Sequence, residues 1–176
     1  MARVDIKYTM EKEINNGFNL FIQRKSKQIK CTCFDEIHQT GNPECNICSG
    51  EGVLYRVQKE KAVLQKSPTA SNAENTKTAL GSIDQSEYNF YLRNEVHPKI
   101  NDKIFLAVWN NGTPIELKQV LKIQKVDPII NNKGEILLYN IFAKNSPKHK
   151  KIGTAIIKKA KQENMKIGDG FYVRPI

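Results

Sequence analysis

The chain lacks long apolar runs, has few histidines, and carries far fewer acids than bases. Each shortage removes a class of protein. No hydrophobic stretch approaches the roughly 20 residues a helix needs to cross a bilayer, and the opening Met1-Ala-Arg-Val-Asp-Ile has no signal-peptide core. Neither membrane insertion nor secretion is expected. His38, His97 and His149 are scattered in sequence and sit in polar or turn contexts. No nucleophile elbow, phosphate loop or carboxylate–histidine set accompanies them, so no enzyme is expected. Acidic residues number 18 against 28 Lys+Arg, which leaves a net charge of +10 and a pI near 9.4. That balance favours contact with nucleic acid or another acidic surface. At 39% hydrophobic and 26% charged residues over 176 positions, the chain is globular and long enough for one domain with a real core.

Cysteine is also scarce, but all of it is in one place. Cys31-Thr-Cys33 is followed by Cys45-Asn-Ile-Cys48-Ser-Gly50-Glu-Gly52, and no other cysteine exists. Two close pairs across a short polar loop are what a tetrahedral Zn²⁺ needs: each pair supplies two soft thiolates, and the loop brings the pairs face to face. The glycines after Cys48 suit a backbone turning tightly with its amides aimed at thiolate sulfur. Cys31, Cys33, Cys45 and Cys48 are therefore read as ligands of a structural zinc knuckle. Four thiolates fill the tetrahedron and leave no open position for substrate. Other readings stay open. Two cross-pair disulfides would suit a secreted protein, Cys45–Cys48 has the spacing of a redox pair, and His38 between the pairs would be able to replace one cysteine.

The rest of the chain reads mainly as β. Thr9 to Asn16 is a short helix with Thr9 as its cap, broken at Asn15-Asn16-Gly17. Phe18–Gln23 and Val53–Lys59 are strands on either side of the knuckle, and 60–65 is ambiguous between helix and strand. Residues 66–82 are small and polar with no apolar period, as in a long exposed loop or flexible arm. Strands follow at Tyr88–Leu92, Lys103–Trp109, Ile115–Val126 and Ile136–Ala143, separated by turns at His97–Asp102, Asn110–Pro114 and Asn131–Gly134. The nearly continuous apolar run Lys103-Ile-Phe-Leu-Ala-Val-Trp109 suits a strand buried on both faces or curled in a small barrel. A basic helix over 153–164 and a last strand at Phe171–Val173 end the chain. The expected fold is a small antiparallel β-barrel or sandwich with an inserted zinc knuckle and short helices. Its parts are an N-terminal segment (1–30), the knuckle (31–52), a barrel body (53–143) carrying the arm 66–82, and a basic C-terminal extension (144–176). Lysine crowds that extension, at Lys144, Lys148, Lys150, Lys151, Lys158, Lys159, Lys161 and Lys166. Without arginine or aromatic partners, such lysines are explained equally well by a solvated tail.

Two stretches carry a family resemblance. Arg24, then Cys31-Thr-Cys33-Phe34-Asp35, then Pro43-Glu-Cys45-Asn-Ile-Cys48-Ser-Gly50-Glu-Gly52 resembles a pattern in virion structural proteins of tailed bacteriophages. Glu95-Val-His-Pro-Lys-Ile-Asn101-Asp102-Lys-Ile104 resembles the Gly-Asp-x-Ile opening of the β-barrel in phage head–tail connectors of the stopper or head-completion type, with Asn101 in the place of glycine. The likeness spans roughly residues 20–145. It implies a homo-oligomeric ring, commonly sixfold or twelvefold, in the virion neck. Such a ring joins the portal side to the tail, encloses the DNA channel, and is assembled in the host cytoplasm. Portal, neck and tail proteins would be its partners, with nonspecific contact to packaged DNA. Cys45–Gly52 also matches one zinc unit of DnaJ-type chaperones, but that domain repeats the unit several times. The competing reading is a zinc-dependent nucleic-acid-binding regulatory protein. Against it, the chain lacks the arginine and aromatic interleaving of a single-strand binder and a helix after the knuckle to read a groove.

Overall fold

A computed structural model of the chain describes residues 6–45, 48, 52–65, 88–146 and 150–173. The arm expected at 66–82 lies outside the described residues. The fold is mainly β, as expected. It is a closed antiparallel barrel of six strands with two helices. Helix α1 (Ile6–Asn15) leads into β1 (Phe18–Lys30), the two-residue strands β2 (Phe34–Asp35) and β3 (Thr40–Gly41), and β4 (Val53–Gln65). Then come β5 (Tyr88–Arg93), β6 (Lys103–Asn110), β7 (Thr113–Ile130), β8 (Ile136–Asn145), helix α2 (Lys150–Glu163) and β9 (Gly170–Val173). Around the barrel the order is β1-β6-β7-β8-β5-β4, and β1 pairing with β4 closes it. The strands that close the barrel therefore include β1 from residues 1–30. β9, from the C-terminal extension, adds to β4 at Tyr55–Gln58, on the edge that β5 occupies further along at Ala62–Gln65.

The alternation of side chains sorts the apolar residues into two cores. Leu20, Ile22, Ala62, Phe90, Leu92, Ile104, Leu121, Ile123, Ile141 and Ala143 point inward and fill the barrel. Their neighbours Phe21, Val57, Phe105, Leu117 and Val120 point outward and are covered by Ile156, Ile157 and Ala160 of α2, with Met165 and Phe171 beyond. This double burial explains the continuous apolar run in β6: Ile104 lies inside the barrel while Phe105 lies under the helix. Burying a side chain such as Phe21 or Ile156 contributes about 1.5–3 kcal/mol.

The turns follow the residue types. β6 and β7 are joined by Asn111 and Gly112, both at positive φ (47° and 77°) with Asn110 paired to Thr113. That is the two-residue hairpin whose twist matches the strands. Asn101 also has positive φ, 74°. Asparagine is among the few residues that adopt this left-handed conformation readily, so it fills the turn before β6. α1 ends at Asn15, as the Asn-Asn-Gly sequence suggests. It begins before Thr9, so Thr9 lies inside the helix and does not cap it.

Candidate metal centre

β1 and β4 run on as a two-stranded ribbon. After Arg24 pairs with Arg56 the register shifts, and pairing resumes at Gln28 with Tyr55 and finishes at Lys30 with Val53. The last pair brings the two ends of the cysteine loop together, and the Cys31 amide donates to the Gly52 carbonyl at 2.7 Å. Two small turns then aim the ligands. Phe34 N–H donates to the Cys31 carbonyl (3.0 Å), which folds Cys31-Thr-Cys33 onto one side. The Asn42 side chain accepts from Glu44 N–H and its carbonyl from Cys45 N–H, both at 2.9 Å, and this turn delivers Cys45. Between the turns, β2 and β3 form a minimal hairpin with Phe34 opposite Gly41.

The four sulfurs of Cys31, Cys33, Cys45 and Cys48 all lie within 4.8 Å of one another. Cys31 Sγ is 3.8 Å from Cys45 Sγ, and Cys33 Sγ is 3.3 Å from Cys48 Sγ. None of the four is in a disulfide. A Zn–S bond near 2.3 Å gives a tetrahedral S···S edge of about 3.8 Å, so the cluster has the size and donor set of a four-thiolate metal site. Cys31 and Cys48 are buried, and Cys33 and Cys45 are partly exposed. As a thiol, Cys33 resists ionisation: the hydrogen bond to Cys48 and then desolvation push it up to about 12. A bound cation reverses that preference, because a coordinating thiol is deprotonated.

Gly52 completes the site. Its N–H donates to Cys48 Sγ at 3.2 Å, its φ is +71°, and a Cβ there would stand 2.6 Å from a Phe34 ring carbon and 2.9 Å from the Gly41 nitrogen. The glycine thus lets the returning strand lie against the β2–β3 hairpin while offering an amide to sulfur. His38 is placed elsewhere. It is exposed, with Nδ1 2.7 Å from Asp35 Oδ2, while Asp35 Oδ1 accepts from the amides of Ile37 and His38. These hydrogen bonds, His38 first, hold the Asp35 carboxyl below its usual range. The sulfur cluster forms without the histidine.

A second polar cluster, which the sequence did not announce, lies inside the barrel near the start of the ribbon. Arg24 is 2% exposed, and its guanidinium donates to the His97 carbonyl (2.8 Å) and to Gln58 Oε1 (3.2 Å). Burial lowers its pKa, and the charges of the buried Asp102 and Glu60 oppose that shift. Asp102 Oδ2 also accepts from Lys99 N–H at 2.9 Å, which fixes the turn before β6. Asp102 is therefore a turn residue, as its sequence context suggests, and a buried counter-charge as well. On the outer face, buried Lys59 donates to the carbonyls of Met165 (2.7 Å) and Gly112 (3.0 Å) and sits over the Trp109 ring.

No protein family matches the chain, and no curated protein matches it. Among the described residues, no helix is long and apolar enough to cross a membrane.

Proposed function

We propose that the chain is a structural, non-catalytic subunit of a tailed-bacteriophage neck, a stopper or connector ring between portal and tail around the DNA channel, with Zn²⁺ in the four-cysteine site. The observation that carries this reading is the pairing of a closed six-strand barrel with a cysteine loop held at the end of its β1–β4 ribbon. A ring subunit needs a rigid body and a rigid projecting contact. Four thiolates on one ion stiffen a loop that is too polar to build a core of its own. Zinc is preferred among thiophilic ions because it is redox-inert and accepts a tetrahedron set by the protein. The ring would assemble in the host cytoplasm and remain in the virion.

The test is mass measurement and negative-stain microscopy of the purified protein, alone and mixed with portal or tail proteins. Closed rings, or addition to one end of a portal or tail assembly, support the reading. A protein that stays monomeric, joins no particle and binds one DNA sequence tightly removes it and leaves the regulatory reading.

A further inference from the structure

The strand register lines up three lysines from separate parts of the sequence. Lys103 of β6 stands opposite Lys122 of β7, and Lys122 stands opposite Lys144 of β8. Their neighbours Ile104, Leu121, Ile123 and Ala143 fill the barrel, so the three lysines lie on its outer face. In the next outward row Lys125 opposes Phe142, lies over its ring and pairs with Asp127 at 2.6 Å. Like charges directly opposite on adjacent strands destabilise a sheet. A row of three across neighbouring strands therefore sets a concentrated positive strip on a chain whose net charge is already +10.

We propose that this Lys103–Lys122–Lys144 strip docks the phosphate backbone of duplex DNA without reading sequence. Adjacent strands are about 4.8 Å apart, so the strip spans about 10 Å. Duplex DNA carries one negative charge per roughly 1.7 Å of axis, dense enough to engage all three ammonium groups. A single strand would instead favour exposed rings on which bases stack, and the aromatic beside the strip, Phe142, lies under Lys125. The inference rests on the neck reading only for the choice of DNA as partner.

The experiment is fluorescence anisotropy with a duplex of arbitrary sequence, titrated between about 50 and 200 mM salt, where three phosphate contacts give a log–log slope of roughly −2.7. K103Q/K122Q/K144Q should remove that slope, which corresponds to an approximately 40-fold change in affinity over this range. The charge-matched K118Q/K158Q/K161Q, at exposed positions elsewhere, should keep most of it. Should the triple variant fail to fold, Lys144→Gln alone decides, with an expected slope change of about 0.9. Equal losses in the two triple variants, no binding by the wild type, tighter binding to single strands, or an unchanged slope in Lys144→Gln would each overturn the proposal. A monomer that binds duplex through this strip keeps the inference and loses the ring. A ring that ignores DNA does the reverse.

Discussion

Replacing Gly52 by alanine is a direct test of how the cysteine loop is built. Two costs combine. The residue sits at φ +71°, where any L side chain is strained by about 1–2 kcal/mol. Its Cβ would also meet the Gly41 backbone nitrogen at 2.9 Å and a Phe34 ring carbon at 2.6 Å. Backbone cannot swing aside, so overpacking adds about 1–3 kcal/mol. Gly134 supplies the control. It has nearly the same φ, +82°, in the β7–β8 turn, and a Cβ there meets nothing within 4 Å. Gly134→Ala should therefore show the conformational cost alone, and Gly52→Ala the sum. The excess is read from zinc retention against a chromogenic chelator, with thermal unfolding of both variants in parallel. Gly52→Ala should lose about 1–3 kcal/mol more stability than Gly134→Ala, the overpacking term, and should also hold zinc more weakly, because Gly52 lies in the cysteine loop and Gly134 in the β7–β8 turn. Equal retention in the two variants would refute the packing argument. Equal thermal shifts together with unequal retention would mean that the loop opens without the barrel.

Elemental analysis of freshly purified protein should find about one zinc per chain, and Cys45→Ser should lower that occupancy and destabilise the loop more than a surface substitution does; metal-free protein with disulfides would contradict both. Arg24→Ala should cost about 3–5 kcal/mol in urea unfolding, because it removes a buried cation whose charge acts on the buried Asp102 and Glu60 and whose guanidinium holds Gln58 and the His97 carbonyl; a cost below 1 kcal/mol would show that water replaces it. Burial holds Lys59 below its ordinary 10.5, so just below pH 10.5 the unfolded chain binds more protons than the folded one. The stability gap between wild type and Lys59→Met should therefore shift in favour of wild type as pH rises through that window and be lost as it falls below the folded pKa; a gap that stays flat with pH would contradict it.

Where sequence and structure agree, the signal was local. Short apolar runs bounded by turn signals placed β5, β6 and β8, the Asn-Gly pairs placed turns, and cysteine spacing picked out four residues whose sulfurs do gather. Where the reading stopped short, the deciding forces were tertiary. β1 runs to Lys30, well past Gln23, although Arg24-Lys-Ser-Lys has no strand signal, because β4 supplies its partners across a bulge. The ambiguous 60–65 belongs to β4 because Lys59 and Glu60 are buried, which breaks the polar–apolar period a sequence reader relies on. The lysine row was invisible for the same reason: Lys103, Lys122 and Lys144 are about 20 residues apart, and only register brings them together.

The same register links the cysteine site to the barrel. β1 and β4 are the strands whose pairing closes the barrel, and residues 31–52 are the loop between them. Closing a loop of about 20 residues costs on the order of 2–3 kcal/mol of chain entropy. An ion held by Cys31, Cys33, Cys45 and Cys48 clamps that loop one residue after Lys30 and five residues before Val53, the last paired residues, so metal binding offsets part of the cost before the ribbon zips toward Phe18 and Ala62. The direction of coupling follows. Removing the metal should weaken the β1–β4 seam more than β6–β7 or β7–β8, whose hairpins are closed by short turns at Asn111-Gly112 and Asn131–Gly134. Amide exchange with and without chelator reads this directly, with faster exchange after metal removal expected at Gln28, Ile29 and Leu54 and little change at Val108 or Leu138. Uniform acceleration across all strands would mean that the metal stabilises the fold as one cooperative unit, and no change at Ile29 or Leu54 would separate the cysteine loop from barrel closure altogether.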